Sequence, residues 1–272
     1  MSRARLVGIC GNAGVGKDTA AQRLVDKHAF TQIALADPIK RFSQRIFKFS
    51  DKQLWGPSSL RDKLDSRYRT YQDGCIDVAW TKATNRLRRH GRAWIRETVN
   101  PTSSAGEDAA YTALCRWFRW LGTTHPELSP RVVLQSLGTE WGRQEVSEDL
   151  WVNYSLRVTS KLLGEDLGTY YTYSKKRGLV SSDTPVVCPG VVVSDIRFEN
   201  ELCMIKESGG FLIWILRDGA PNGVGLLDHS SEVTQRDFTR TQFNYTIDNS
   251  NTLEELYTLI DLCPFFWGSG EC

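Results

Sequence analysis

Residues 6–19 decide the fold, and they are Leu6-Val7-Gly8-Ile9-Cys10-Gly11-Asn12-Ala13-Gly14-Val15-Gly16-Lys17-Asp18-Thr19. The first five form a short, largely apolar run, long enough for a buried strand, and a glycine-rich turn follows at once. Glycine allows positive φ and a close approach of the backbone to an anion. The residues after Lys17 favour a helix. A strand, a glycine-rich turn and a helix start in this order predict a loop whose amides bind phosphate at a helix N-terminus.

The loop predicts a site for the phosphates of a nucleotide. We expect its backbone amides to converge on phosphate oxygens, and the Lys17 ammonium to lie beside the β- and γ-phosphates. The alternative is a glycine-rich turn without a ligand. The expected phosphate-binding residues are Asn12, Ala13, Gly14, Val15, Gly16, Lys17, Asp18 and Thr19.

Asp18 stands where this type of loop ordinarily has a Ser or Thr whose hydroxyl binds magnesium. A carboxylate also binds magnesium, directly or through water. Thr19 is rotated by about 100° around the helix, so it does not simply replace that hydroxyl. The alternative is that Asp18 only places a negative charge in the first turn of a helix, where it is favourable. Both interpretations stay open at this point.

Length and composition are those of an ordinary globular protein. The 272 residues suffice for one large domain or two small ones, and 40% of them are apolar and 24% charged. A net charge of +2 argues against a surface dedicated to nucleic acid. The chain has neither a stretch apolar enough to span a bilayer nor a secretory leader, so we expect a cytoplasmic protein. Its seven cysteines include no C-x-x-C pair, so neither a disulfide framework nor a zinc site is predicted.

Strand-like and helix-like segments alternate through much of the chain. This alternation predicts an α/β fold, with a mostly parallel sheet and helices on both faces. Asp37 is the expected N-cap and Pro38 the first residue of a helix. Besides residues 6–10 and the helix after the loop, we expect strands at 31–36, 191–195, 211–216 and 243–247, helices at 38–47, 131–137, 149–163, 200–208 and 253–262, a turn at 138–143, and a polar stretch at 164–190.

The alternation is lost between about residues 51 and 130, and we interpret this segment as a helical insertion in a single domain that spans 1–272. It is rich in Trp, Tyr and Arg, and the residues from Arg61 to Arg131 include 13 basic and 8 acidic side chains. The resulting net charge of +5 is compatible with a cover over phosphates. A solvated helical face is the alternative.

Polar residues follow the strand predicted at 191–195, and the carboxyl ends of parallel strands are where ligands bind in such sheets. Asp195 at the end of a Val-rich strand is a candidate magnesium ligand. Arg197 is a candidate for a phosphate, and Glu201 for a base or sugar. The alternative is a capped helix start with surface charges.

Two further arginines, Arg131 and Arg143, flank the Gly138-Thr139 turn. Phosphoryl transfer depends on positioning and charge neutralisation, so both are candidates for clamping the transferred group. Residues 228–232, Asp-His-Ser-Ser-Glu, form another polar cluster, but no orienting partner is visible that would make them a hydrolase triad.

Taken together, these motifs resemble those of the phage deoxynucleoside monophosphate kinases. No motif of the family matches residues 67–126. The matching motifs are the Lys17-Asp18-Thr19 ending of the loop, Ala36-Asp37-Pro38-Ile39-Lys40, Leu134-Gln135 with Gly138-Thr139-Glu140 and Arg143, Trp151, Asp195-x-Arg197-x-Glu199-x-Glu201, and His229-x-Ser231-Glu232.

The resemblance implies a three-layer P-loop kinase fold, ATP as the donor, Mg2+ as the cofactor and a deoxynucleoside 5′-monophosphate as the acceptor, in deoxynucleotide biosynthesis. Lys17, Asp195 and Arg143 would be catalytic, with Arg131 on the donor side as the alternative clamp. Asp18 and Asp195 would hold the metal. The acceptor residues would be Asp37, Lys40, Arg61, Gly138, Thr139, Trp151, Asp195, Arg197 and Glu201.

We therefore predict a kinase that transfers the γ-phosphoryl group of ATP to a deoxynucleoside monophosphate. One alternative is another small-molecule kinase with a Gly-Lys-Asp loop, of the phosphomevalonate type. The other is a nucleic-acid-binding protein in which ATP acts as a switch. The absence of a known nucleic-acid-binding motif argues against this second alternative, so we expect no stable nucleic-acid complex. We also expect no membrane partner. The base that is accepted and a homodimeric state are left open.

Overall fold

The computed structural model describes residues 5–12, 14–69, 78–125, 127–164, 169–218 and 238–264. The chain divides into two compact units. The first unit comprises Met1–Leu35 and Ser155–Cys272, and the second unit comprises Ala36–Tyr154. The single domain with an insertion at about 51–130 stays a prediction.

The elements are numbered in chain order. The strands are β1 (Leu6–Cys10), β2 (Thr31–Ile33), β3 (Asp65–Arg69), β4 (Glu127–Leu128), β5 (Tyr170–Ser174), β6 (Gly178–Ser182), β7 (Val191–Ile196), β8 (Phe211–Leu216) and β9 (Tyr245–Asp248). The helices are α1 (Lys17–His28), α2 (Asp37–Phe47), α3 (Asp51–Trp55), α4 (Ser58–Arg61), α5 (Val78–Thr98), α6 (Ser104–Thr124), α7 (Pro130–Ser136), α8 (Leu150–Leu162), α9 (Glu199–Glu207) and α10 (Leu253–Asp261). A π-helical segment spans Leu137–Val146, and a 3₁₀ turn spans Arg240–Gln242.

The first unit is built on a five-stranded sheet in the order β2-β7-β1-β8-β9. Every pair of neighbouring strands in it is parallel. Central β1 is buried along its whole length, which explains why its sequence is apolar and does not alternate. The prediction of a mostly parallel sheet is therefore confirmed.

Helices cover both faces of this sheet. Val7 and Ile9 share a core with Leu24 of α1 and Ile260 of α10 on one face. Gly8 points to the other face, where a Cβ atom would lie 2.9 Å from the Ile205 side chain of α9. The first unit is thus a three-layer α/β structure, and the predicted fold class is confirmed.

Asp261 of α10 ties that helix to α1. Its carboxylate accepts hydrogen bonds from Arg23 at 2.6 Å and from Lys27 at 2.7 Å, and the His28 ring lies 3.3 Å away. These partners, Arg23 first, hold the pKa of the Asp261 carboxyl well below its ordinary value. The cluster fixes the two helices on one face of the sheet.

Residues 164–190 contain a hairpin, where we predicted only a polar stretch. β5 and β6 pair antiparallel from Tyr170 opposite Ser182 to Ser174 opposite Gly178. The β-forming residues of Tyr170–Tyr173 and Leu179–Val180 explain the pairing, which the polar residues around them concealed. This hairpin was not predicted from the sequence.

Two element boundaries of the second unit also differ from prediction. Ala36, and not Asp37, caps α2, although Pro38 lies in its first turn as expected. After α7 the chain continues into the π-helical segment, where we predicted a turn at 138–143. One glycine is tolerated within a helix, so Gly138 did not mark a break. Short π-helical stretches frequently occur at functional sites.

The second unit has an aromatic interior. Phe47 packs against Phe49, Tyr68 and Phe118, with ring centroids 5.5–5.6 Å apart. On its surface, ion pairs connect the basic residues of α5 to the acidic residues of α6, through Arg92–Asp108 at 2.7 Å and Arg96–Glu107 at 2.8 Å. These pairs occupy two of the thirteen basic side chains between Arg61 and Arg131, and their acidic partners are already counted in the net charge of +5.

Five cysteines lie in the part of the chain that the structure describes, and each of them is a free thiol; Cys75 and Cys272 lie outside it. None of the described helices is both long and apolar enough to cross a membrane.

Candidate functional site

The predicted phosphate loop connects β1 to α1, and two of its glycines lie against the ends of neighbouring strands. A Cβ atom at Gly11 would lie 2.4 Å from the carbonyl oxygen of Ile215 in β8, and one at Gly16 would lie 2.5 Å from Nδ2 of Asn249. Both residues also have positive φ, of 148° and 100°. No other residue fits either position without moving the loop. Ala13 lies outside the described residues.

Lys17, the first residue of α1, folds back over the loop. Its Nζ donates hydrogen bonds to the carbonyl oxygens of Gly11 and Asn12, both at 2.5 Å. Burial and, to a smaller extent, the positive charge of Arg197 lower the pKa of the Lys17 ammonium to about 8. Asp18 and Asp195 act in the opposite direction. The first unit thus brings together the predicted residues Lys17, Asp18, Asp195 and Arg197.

Asp195 and Glu201 order the turn that follows β7. The Asp195 Oδ1 accepts a hydrogen bond of 2.8 Å from the backbone N–H of Leu35, just beyond β2. Glu201 is buried, and its Oε2 accepts hydrogen bonds from the N–H groups of Arg197 at 2.7 Å and Phe198 at 3.1 Å. The capped helix start is therefore present, and it presents the exposed Arg197 side chain. Contact of Glu201 with a base or sugar stays a prediction.

No protein-family model matches the chain. A protein of Acanthamoeba polyphaga mimivirus that carries the provisional name deoxynucleotide monophosphate kinase is 28% identical over 258 residues, which are 95% of each chain. The deoxynucleoside-5′-monophosphate kinase of Escherichia phage T5 is 24% identical over 216 residues, 75% of this chain and 72% of the phage protein. The chain is thus similar to viral proteins named as deoxynucleotide monophosphate kinases over most of its length. The family resemblance that we inferred from the motifs is confirmed, and the longer match covers both units.

The remaining residues that the family resemblance singles out lie in the second unit. Asp37 is buried and Lys40 half-buried, both on α2, and Arg61 ends α4, where its guanidinium donates to the Leu54 carbonyl at 3.4 Å. Gly138 and Thr139 lie in the π-helical segment and are half-buried. Their contacts with a substrate of the family stay predictions.

The two arginines proposed as clamps differ in their surroundings. Arg131 donates to the carboxylate of Asp62, and to the Ser58 hydroxyl at 2.7 Å. The Arg131 guanidinium holds the pKa of the Asp62 carboxyl below its ordinary value. Arg143 is half-buried and donates to the carbonyl of Glu148 at 3.3 Å. Arg131 would have to leave this ion pair to reach a nucleotide, and clamping of the transferred group by either arginine stays a prediction.

Trp151 supports the π-helical segment from within the core. Its Nε1 donates a hydrogen bond of 2.8 Å to the carbonyl of Gly138, and its ring lies against Gly142 so closely that a Cβ there would be 2.5 Å from Cζ2. Trp151 is 3% exposed and packs beside Trp94 and Trp141. The structure gives Trp151 a packing role, and its contact with a substrate stays a prediction.

Sequence reasoning missed one residue of this site, Asn249, which follows β9. Its Nδ2 donates a hydrogen bond of 2.9 Å to the carbonyl of Val15 in the phosphate loop. The rule that sites lie at the carboxyl ends of strands would have drawn attention to it. The cluster at residues 228–232, including His229 and Glu232, lies outside the described residues.

Proposed function

We propose that the chain is an ATP-dependent kinase that transfers the γ-phosphoryl group to a deoxynucleoside 5′-monophosphate and forms the diphosphate. The names of the two viral relatives support the reaction class. One observation supports phosphoryl transfer most directly: a positive-φ glycine loop and Lys17 at the start of α1, within electrostatic reach of Asp195 and Arg197.

The phosphate loop suits the donor phosphates. Its glycines allow the backbone to approach an anion, and α1 begins at the loop, so that free amides and the helix dipole favour negative charge there. In this proposal the Lys17 ammonium exchanges its hydrogen bonds to the Gly11 and Asn12 carbonyls for phosphate oxygens. Asn12, Ala13, Gly14, Val15, Gly16 and Thr19 complete the donor site.

Magnesium fits the donor set of this site. Asp18 is exposed in the first turn of α1, Asp195 lies near the end of β7, and both influence Lys17 electrostatically. Carboxylate oxygens are the protein ligands that Mg2+ prefers. Asp18 and Asp195 would hold the ion, which when bound supplies positive charge to the phosphate oxygens.

The acceptor needs no general base in this reaction, because its phosphate already carries an anionic oxygen. Catalysis then depends on positioning and on neutralising charge. We assign this task to Arg143 and Arg197, and acceptor binding to Asp37, Lys40, Arg61, Gly138, Thr139, Trp151 and Glu201. The base that these residues select is left open. A homodimeric state and a location in a host cytoplasm stay predictions.

Lys17→Ala tests the proposed function. Lys206→Ala is the matched control, since Lys206 is exposed on α9. ADP release is measured with dGMP, dTMP, dCMP, modified deoxynucleoside monophosphates and phosphomevalonate as acceptors. We expect turnover with at least one deoxynucleoside monophosphate, a loss on the order of 100-fold in Lys17→Ala, and none in the control. Transfer to phosphomevalonate alone, or full activity of Lys17→Ala, would refute the assignment.

A further inference from the structure

Asn249 connects the last two strands of the sheet to the phosphate loop. It lies directly after β9 and is 8% exposed. Its backbone N–H donates a hydrogen bond of 2.8 Å to the carbonyl of Leu216, the last residue of β8. The position of the Asn249 side chain is therefore set by two strands of the buried sheet.

The side chain of Asn249 reaches the centre of the loop. Its Nδ2 donates to the Val15 carbonyl at 2.9 Å, across 234 positions of sequence. The same nitrogen lies so close to Gly16 that a Cβ atom there would be 2.5 Å from it. The contact therefore requires glycine at position 16, and the amide of Asn249 packs directly on the Val15–Gly16 peptide.

This hydrogen bond fixes the direction of one loop amide. The carbonyl of Val15 and the N–H of Gly16 belong to the same planar peptide group, and in a trans peptide they point in opposite directions. The described residues contain no cis peptide. When Asn249 holds the Val15 carbonyl on one side, the Gly16 N–H must point to the other. An N–H group that is oriented before the ligand arrives costs no reorganisation when it binds an anion.

We propose that Asn249 is a positioning residue of the phosphate loop, which orients the Gly16 N–H toward the phosphate chain of a nucleoside triphosphate. The inference rests on the proposed function for the identity of the ligand. Asn suits the role because its amide nitrogen donates to a carbonyl, whereas an ionised Asp has only acceptors and would repel the Val15 oxygen.

Asn249→Ala and Asn249→Asp test this role, with Asn251→Ala as the matched control. Asn251 lies two positions further along the same turn, is exposed, and donates to Glu255 at 3.1 Å. The probes are inorganic tripolyphosphate and ATP, measured by calorimetry at a temperature where each variant is folded. We expect the Kd for both probes to rise at least tenfold in Asn249→Ala and further in Asn249→Asp. Asn251→Ala should stay within twofold of the unaltered chain.

Steady-state kinetics separate positioning from a merely structural role. We expect Asn249→Ala to raise KM for ATP at least tenfold and to leave KM for the monophosphate within twofold. A variant that melts at a lower temperature but binds tripolyphosphate within twofold of the unaltered chain would show that the hydrogen bond only stabilises the fold, and would overturn the proposal.

A measurement on the unaltered chain covers the case in which the variants do not fold. The Gly16 amide resonance should move downfield on saturation with tripolyphosphate, since its proton gains an anionic acceptor, and an unmoved resonance would overturn the proposal. The kinase assignment and the positioning role of Asn249 can be contradicted independently of each other. A chain whose affinity for tripolyphosphate falls in Asn249→Ala, but which phosphorylates no deoxynucleoside monophosphate, contradicts the kinase assignment and supports the role of Asn249.

Discussion

The Oε2 atom of Glu201 accepts a hydrogen bond of 2.7 Å from the backbone N–H of Arg197. The Glu201 carboxylate thereby fixes the turn that carries Arg197. The positive charge of Arg197 contributes to the lowered pKa of the Lys17 ammonium. Arg197 and Glu201, which were predicted as separate substrate contacts, thus belong to one hydrogen-bonded turn. Glu201 influences the phosphate loop through Arg197, whether or not it also contacts a substrate.

Replacement of Glu201 by Ala should destabilise the first unit. The change leaves the N–H groups of Arg197 and Phe198 without their acceptor at a buried helix start, and we expect a loss of about 1–2 kcal/mol in the free energy of unfolding. Glu201→Gln retains a carbonyl oxygen and should lose less. Urea unfolding of the three proteins measures the difference, and equal stability of Glu201→Ala and the unaltered chain would contradict this capping role.

ATP affinity should fall as the pH rises through about 8. Lys17 has its pKa lowered to about 8, so its ammonium is charged below that pH and loses its proton above it. A bound phosphate chain favours the charged form, so binding near pH 8 should take up a proton. Calorimetry in buffers of different ionisation enthalpy measures that uptake.

Arg197→Ala is the matched test of this pH dependence. The variant removes a like charge near Lys17, so the midpoint of the affinity profile should move to higher pH, even though overall affinity falls with the lost cation. A profile with the same midpoint in both proteins would mean that Arg197 does not act on Lys17.

Gly142→Ala should destabilise the second unit by about 1–3 kcal/mol, because the added methyl would lie 2.5 Å from the buried Trp151 ring. Gly106→Ala is the control in α6, where the Cβ would have its nearest neighbour at 3.4 Å. That substitution should be neutral or stabilising by up to about 1 kcal/mol. Thermal unfolding of the two variants distinguishes overpacking at Trp151 from a general effect of alanine.

Asp261→Asn should lower the melting temperature by about 2–4 °C at pH 7, because it weakens the hydrogen bonds from Arg23 and Lys27. The pKa of the Asp261 carboxyl is lower in the folded than in the unfolded chain, so its contribution is complete above about pH 4 and is lost as the pH falls further. The melting temperatures of variant and unaltered chain should converge in acid. A difference that does not shrink between pH 4 and pH 2 would assign the effect to packing.

The sequence predicted the first unit better than the second. β1, β7 and β8 are short apolar runs between turn residues, and such runs are typical of buried strands in a parallel sheet. The phosphate loop was predictable because its glycines, lysine and helix start are adjacent in sequence. The hairpin of β5 and β6 was missed because its β-forming residues are surrounded by polar ones.

Other features depend on contacts between distant residues, which local patterns do not contain. The hydrogen bond from Asn249 to Val15 joins positions 234 apart, and nothing local to either residue indicates it. The π-helical segment around Gly138 is stabilised by Trp151, 13 positions later, so its residues alone predicted a turn. The insertion at about 51–130 stays a prediction, and the burial of Tyr68, Trp94, Trp117 and Phe118 within that segment is not evident from its composition.

The aromatic core of the second unit also determines what optical spectroscopy of this protein measures. Seven of the nine tryptophans lie between Trp55 and Trp151, in the second unit. Trp94, Trp141 and Trp151 have ring centroids 5.0–6.5 Å apart, close enough for their excited states to interact. Intrinsic fluorescence will therefore report mainly on the second unit, whereas far-UV circular dichroism reports on both. A comparison of the two signals during denaturation measures whether the units unfold as one cooperative body or in succession.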